Sequence, residues 1–174
     1  MMTALWFVGG LILTVVGLTC SIGAVLPRDH VATGSVVVQG SPTVVWQTIR
    51  HVAAAPSWRP SVTKVEVIDQ QNGVATRWTE HGPDGALTMI VDEEASPHRV
   101  VTRIDDAGLP FGGTWTIELT EESGDTRARV TERGFIKLPP VRVLAKLFMD
   151  PNATLRRYLK DLAAKHGGSG AVEP

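Results

Sequence analysis

The chain is expected to fold as an α+β domain in which a long C-terminal helix lies over a curved antiparallel sheet of about seven strands. Two short helices follow the first strand, and one N-terminal transmembrane helix is expected to precede the domain. Three observations point there. Between Pro139 and His166, Val141, Leu144, Phe148, Leu155, Leu159 and Leu162 recur at gaps of three, four or seven, which keeps them on one helical face. Arg142, Lys146, Arg157 and Lys160 fall on another face. Strand-like runs separated by turn residues come before this helix, and one amphipathic helix after such runs needs a broad apolar surface to cover.

Composition narrows the class. At 174 residues the chain has room for one sizeable core and is short for two domains. A net charge of -1 gives no electrostatic reason to expect nucleic acid as a partner. Five Trp stand against one Tyr, and Trp suits pockets where one edge stays wet. Cys20 is the sole cysteine, so no intramolecular disulfide forms.

Leu5 to Leu26 holds no charged residue, and a helix of that length spans about 33 Å, enough to cross a bilayer. Residues 1–27 therefore read as an anchor. The alternative is a cleaved signal peptide, with Ser21-Ile22-Gly23 as a small-x-small site, but the basic n-region is missing. Arg28 and Arg50 follow the span, which by the positive-inside rule puts the domain in the cytoplasm. Gly10, Thr14, Gly17, Ser21 and Ala24 form a seam along which a second helix could approach, although small residues are common in membrane helices. Pro27 to His30 leaves almost no linker, so the membrane itself is an expected partner.

Residues 28–166 read as the ligand-binding domain. Val31 to Gly40 is a first strand. Ser41-Pro42 opens a helix, with Ser as N-cap and Pro at the first position, and Ala53 to Trp58 is a second short helix. Six strands follow: Val62 to Asp69, Val74 to Glu80, Ala86 to Ala95, His98 to Asp105, Thr114 to Glu121 and Thr126 to Lys137. Gln71-Asn72-Gly73 is the strongest hairpin turn among them. Pro151 is expected to break the last helix near Met149 to Pro151, leaving the part before it as a gate. Residues 167–174 read as a disordered tail.

Ser41-Pro42-x-x-Val45-Trp46, Pro56-Ser57-Trp58-Arg59-Pro60, Val62, Val65 and Gly112-Gly113-Thr114-Trp115 together resemble the START-like (SRPBCC) superfamily, specifically its polyketide cyclase/dehydrase group. The resemblance covers roughly His30 to His166. It implies the helix-grip fold and an apolar cavity between sheet and long helix. It does not choose among lipid carriers, hormone receptors and aromatase/cyclases, because these motifs are turn, cap and packing residues.

The chemistry is sparse. There is no glycine-rich phosphate loop, no Cys pair and no His pair at metal-ligand spacing, so neither cofactor nor metal is expected. Strand alternation carries more. If Trp78 points inward, so does Glu80; Trp115 brings Ile117 and Leu119; Val130 brings Ala128, Glu132 and Gly134. Glu80 and Glu132 are thus the candidate catalytic residues, one with a raised pKa serving as general acid. The plainer reading has both meeting water or a cross-strand Arg such as Arg77 or Arg133. Trp78, Met89, Ile104, Trp115 and Val130 are the expected ligand-binding residues, with Leu144 and Phe148 as lid.

These observations put first a membrane-anchored module that binds or transfers a hydrophobic small molecule: a lipid, quinone or polyketide-like ring. The alternatives are a cyclase or dehydratase using a cavity carboxylate, and an interaction protein whose cavity is filled by its own side chains.

Overall fold

In the computed structural model, which describes residues 14, 16–83, 85–148, 150, 152–168 and 171–173, one sheet carries the whole domain. The chain runs β1 (Asp29–Val38), α1 (Pro42–Arg50) and a 3-10 helix (Val52–Ser57). Six strands follow: β2 (Lys64–Gln71), β3 (Val74–Gly82), β4 (Gly85–Ala95), β5 (Arg99–Ile104), β6 (Phe111–Glu122) and β7 (Asp125–Ile136). Two helices, α2 (Pro139–Phe148) and α3 (Ala153–His166), complete it. The sheet order is β1-β7-β6-β5-β4-β3-β2, with every pairing antiparallel. Short turns force β2 to β7 into neighbouring positions. Asn72 (φ 52°) and Gly73 (φ 78°) supply the left-handed pair that the β2–β3 turn needs.

The core lies under α3. Ala32, Val36 and Val38 of β1, Ile117 and Leu119 of β6, and Ala128 and Val130 of β7 meet Leu155, Tyr158, Leu159 and Leu162. Gly34 lets the helix settle on bare backbone: a Cβ there would come within 2.6 Å of Leu155 Cδ2 and 3.1 Å of Leu159 Cδ1. Val45, Trp46 and Ile49 of α1 close one end of the same core. The Ser41 hydroxyl makes no cap; instead its carbonyl accepts from Val44 N–H (3.0 Å) and Val45 N–H (3.2 Å). At the other end of α1, the buried Arg50 grips Glu94 through Nε (3.2 Å) and Nη2 (2.9 Å) and donates to the Ala75 carbonyl.

The C-terminal helix is two helices. α2 stops at Phe148 and α3 starts at Ala153, where Asp150 Oδ1 accepts from Asn152 N–H (2.9 Å). Positions 149 and 151 lie outside the described residues. α2 buries none of its residues. α3 ends on Gly167, whose φ of 74° is the left-handed cap that frees the chain from the helix. Beyond it Glu173 exchanges two backbone hydrogen bonds with Ser35 (2.8 and 2.9 Å) on the β1 edge.

The N-terminal expectation needs correction. No helix among the described residues is long and apolar enough to cross a membrane. Residues 1–13 and 15 of the expected span, Gly10 of its small-residue seam among them, lie outside the described residues. The described helical stretch, residues 16–25, rises over about 15 Å. Its end is built into the domain. Arg142 of α2 donates to the Gly23 carbonyl (3.2 Å) and the Leu26 carbonyl (3.4 Å), and also to Ile136 (2.9 Å) and Lys137 (3.0 Å). Gly23 is the buried position; a Cβ there would collide with the Pro139 carbonyl at 1.9 Å. Thr14, Gly17, Ser21 and Ala24 are exposed, and Ser21 Oγ turns back to the Gly17 carbonyl (2.9 Å). The single-pass anchor, the membrane localisation, the cytoplasmic orientation drawn from it and the membrane as partner all lose their support.

Candidate functional site

Two rows of side chains cross the concave face at the end of the sheet where β7 leads into α2. In the first, Trp78 pairs with Met89, and Met89 with Ile104. The row continues through Gly113, which pairs with Gly134, and ends at His30 opposite Gly134. In the second, Thr102 pairs with Trp115, Trp115 with Glu132, and Glu132 with Ala32. Met89, Ile104 and Trp115 are half-buried, whereas Trp78 and Val130 are buried. Between Ile104 and His30 the first row has no side chains at all. A cavity of about 340 Å³ lies beside this end of the sheet, but Arg103, Thr114, Arg133 and Phe135 of its lining alternate with the inward residues, and Glu132, Trp78, Met89 and Trp115 do not line it.

The missing side chain at Gly134 has a specific consequence. A Cβ there would stand 2.3 Å from His30 Cε1 and 2.5 Å from Nε2, so the imidazole occupies the space that glycine vacates. From there His30 Nε2 reaches Glu132 Oε1 at 3.5 Å. The second carboxylate oxygen, Oε2, is buried without a hydrogen-bond partner. Burial holds the Glu132 carboxyl above the usual carboxylate range, while His30 and the Trp115 indole pull it the other way. Gly134→Ala is expected to displace His30, which removes one of the groups opposing the shift and moves the Glu132 pKa further up. A carboxyl-resolved NMR titration checks this; an unchanged Glu132 titration in the variant would show that His30 has no hold on it.

Glu80 is placed differently. Its Oε1 accepts from Arg59 Nη1 (2.8 Å) and from Trp78 Nε1–H (3.2 Å), and both partners of the ion pair are 19% exposed. Its arginine partner is Arg59, whereas Arg77 pairs with Asp105 (3.0 Å). A carboxylate held by a guanidinium and an indole N–H is engaged as a structural acceptor. The two candidate carboxylates are joined through Tyr158. Its ring packs edge-on to Trp115 (5.6 Å, 84°) and to Trp58 (5.6 Å, 68°), with Arg59 5.2 Å from its centroid. Burial pushes the Tyr158 phenol well above its usual range, so it stays a neutral hydroxyl.

The expected lid is open. Leu144 and Phe148 are 55% and 80% exposed, so neither closes on Trp115 or Ile104 here. Sequence reasoning does not single out His30, Arg59, Trp58 or Tyr158 for the site. Only the β1–β7 pairing, which sets His30 opposite Gly134, could have signalled the first of them. Among the described residues no group of three His, Cys, Asp or Glu side chains is placed to hold a metal ion.

A seven-stranded antiparallel sheet packed on α3, with a carboxylate at the open end of its concave face, is a helix-grip fold. Residues 29–167 match the family model described as polyketide cyclase/dehydrase and lipid transport, and the chain belongs to that family. No curated protein matches the chain. Among solved structures it is similar to a START superfamily protein from Mycobacterium smegmatis (18% identity, TM-score 0.64, covering 79% of this chain and 97% of that one). It is also similar to the Zhui aromatase/cyclase from a Streptomyces species (14%, TM-score 0.64, 80% and 94%). A third likeness is to the di-domain aromatase/cyclase StfQ of the steffimycin biosynthetic pathway (11%, TM-score 0.63, 80% and 51%). Identities this low establish the fold and leave the reaction open.

Proposed function

We propose that the protein is a cyclase- or dehydratase-type enzyme of the helix-grip family, acting on an apolar, carbonyl-bearing small molecule with Glu132 as its proton-transfer group. This reverses the order expected from sequence, which put a membrane-anchored carrier first. The anchor has lost its support, and two of the similar structures are those of aromatase/cyclases. The observation that carries the reading is Glu132 itself: a half-buried carboxyl with one buried oxygen unpartnered, raised by desolvation, beside an apolar floor.

The chemistry suits such a group. The Glu132 carboxylate takes a proton from a methylene flanked by two carbonyls. The resulting enolate carbon attacks a second carbonyl of the same chain, forming the C–C bond. The new alkoxide takes the proton back from the Glu132 carboxyl. A further proton removal from the adjacent carbon, with protonation of the departing hydroxyl, releases water and leaves a C=C bond. A carboxyl whose pKa lies above the ordinary range is closer to operating pH and serves both directions of transfer. Trp78, Met89, Ile104 and Trp115 supply the apolar wall, and His30 holds the carboxyl in place. The test is incubation with an aryl-substituted 1,3,5,7-tetraketone, whose C2 methylene reaches the C7 carbonyl to close a six-membered carbocycle, with mass spectrometry and NMR of the products. Catalysed loss of one water is expected; a substrate bound to the protein yet unchanged would overturn the enzyme reading in favour of a carrier.

A further inference from the structure

Three buried polar atoms without hydrogen-bond partners, Trp58 Nε1, Arg59 Nε and Asp161 Oδ2, belong to two residues packed on the Tyr158 ring and to one that follows Tyr158 on α3. Arg59 Cζ lies 5.9 Å from the Trp58 ring centroid and 5.2 Å from that of Tyr158. Trp58 and Tyr158 touch edge-on at 5.6 Å. Asp161 follows Tyr158 on α3 by almost one turn, and its carboxyl feels the Arg59 charge directly. Buried donors and acceptors are almost always paired, and an unpaired one forfeits its hydration with nothing in return. Two N–H donors and a carboxyl oxygen left so, the donors on packed neighbours and the carboxyl within reach of the Arg59 charge, mark a place meant for a further polar group.

We propose that Trp58, Arg59 and Asp161 form a subsite for a neutral oxygen function, a carbonyl or hydroxyl, at one end of a ring-shaped ligand. The inference rests on the ligand-binding reading above and adds the substrate class. Trp58 Nε1–H and Arg59 Nε–H donate to the oxygen, and Asp161 accepts from it when it is a hydroxyl.

Charge argues against an anionic group. The Arg59 charge is already matched by Glu80, whose Oε1 stands 2.8 Å from Nη1. Burial also pushes the Asp161 carboxyl up toward its neutral form, against Arg59 and Arg157. No net positive charge is left over for a carboxylate or phosphate. Position argues for a ligand with rings. Tyr158 meets Trp58 on one side and Trp115 on the other, and Trp115 is the cross-strand partner of Glu132. The aromatic rings of Trp58, Tyr158 and Trp115, which link the subsite to the partner of Glu132, suit a ligand with rings.

The test compares naphthalene with 1-naphthol, followed by tryptophan fluorescence of the full chain. Wild type is expected to prefer 1-naphthol by roughly tenfold, the worth of one or two buried hydrogen bonds. Trp58→Phe keeps the ring against Tyr158 and deletes the N–H, and should cut that preference by roughly fivefold with naphthalene affinity unchanged. Asp161→Ala breaks no hydrogen bond of the protein, so it should fold even if Trp58→Phe does not, and it should cut the preference likewise. If both probes bind and neither Trp58→Phe nor Asp161→Ala alters the preference, the subsite is overturned and the cleft reading stands. If neither probe binds, both fall.

Discussion

Glu132→Gln is expected to lower the rate of tetraketone cyclisation by about 10²–10⁴-fold, the usual worth of a positioned acid–base group, while apolar ligand affinity stays the same. Gln keeps the shape of the side chain and still reaches the Trp115 side of the strand, but it can neither take nor return a proton. The same variant should show a pH signature in stability. The folded-state pKa of Glu132 lies above its ordinary value of 4.5, so the folded protein binds that proton more tightly than the unfolded chain does. The sign follows: stability from this group is present below 4.5 and is lost as pH rises through the folded pKa. Removing the carboxyl removes that loss. Glu132→Gln should therefore unfold at a higher temperature than wild type at about pH 8 and gain little at about pH 4. A variant that keeps full turnover would show that some other group moves the proton.

Leu159→Ala is expected to cost about 2–5 kcal/mol of folding stability, against changes within about 0.5 kcal/mol for Leu144→Ala and Phe148→Ala. Leu159 is fully buried, with its Cδ1 lying over Gly34, and the strand beneath has no Cβ with which to fill the void. Leu144 and Phe148 are exposed, so their truncation leaves no void. Their truncation should instead change the rate at which a probe enters and leaves. Urea unfolding of the three variants beside stopped-flow exchange of 1-naphthol separates the two effects. Equal losses of stability in all three would mean that α2 packs on the sheet in solution.

Much of the fold can be read from the chain because its signals are local. Asn72-Gly73 demands a two-residue hairpin wherever it sits between strands, and the alternation through Trp115, Ile117 and Leu119 gives the inward face without knowledge of the partners. The same alternation puts Glu132 on that face. What surrounds Glu132 cannot be read so. His30 reaches it only because β1 closes against β7, a pairing between the first and last strands that no local pattern encodes. Arg59 reads in sequence as a residue that merely ends a short helix, yet it determines how Glu80 is used. The apolar stripe of the last helix looks identical whether covered or bare, so periodicity assigns Leu144 and Leu159 the same role. The membrane span fails for a related reason: an uncharged run fixes composition, whereas the described helix ends by docking Gly23 and Leu26 onto Arg142.

Glu132 must be a desolvated carboxyl at an apolar ligand site if it is to move protons there. The direct measurement is its pKa, followed by side-chain carboxyl NMR across a pH titration, with and without saturating naphthalene. The expected value lies above the ordinary 4.5 in the free protein, with a further rise when the apolar probe displaces water from the floor around Trp115 and Ile104. A Glu132 that titrates at or below that ordinary value, and does not respond to the probe, would contradict its assignment as the proton-transfer group.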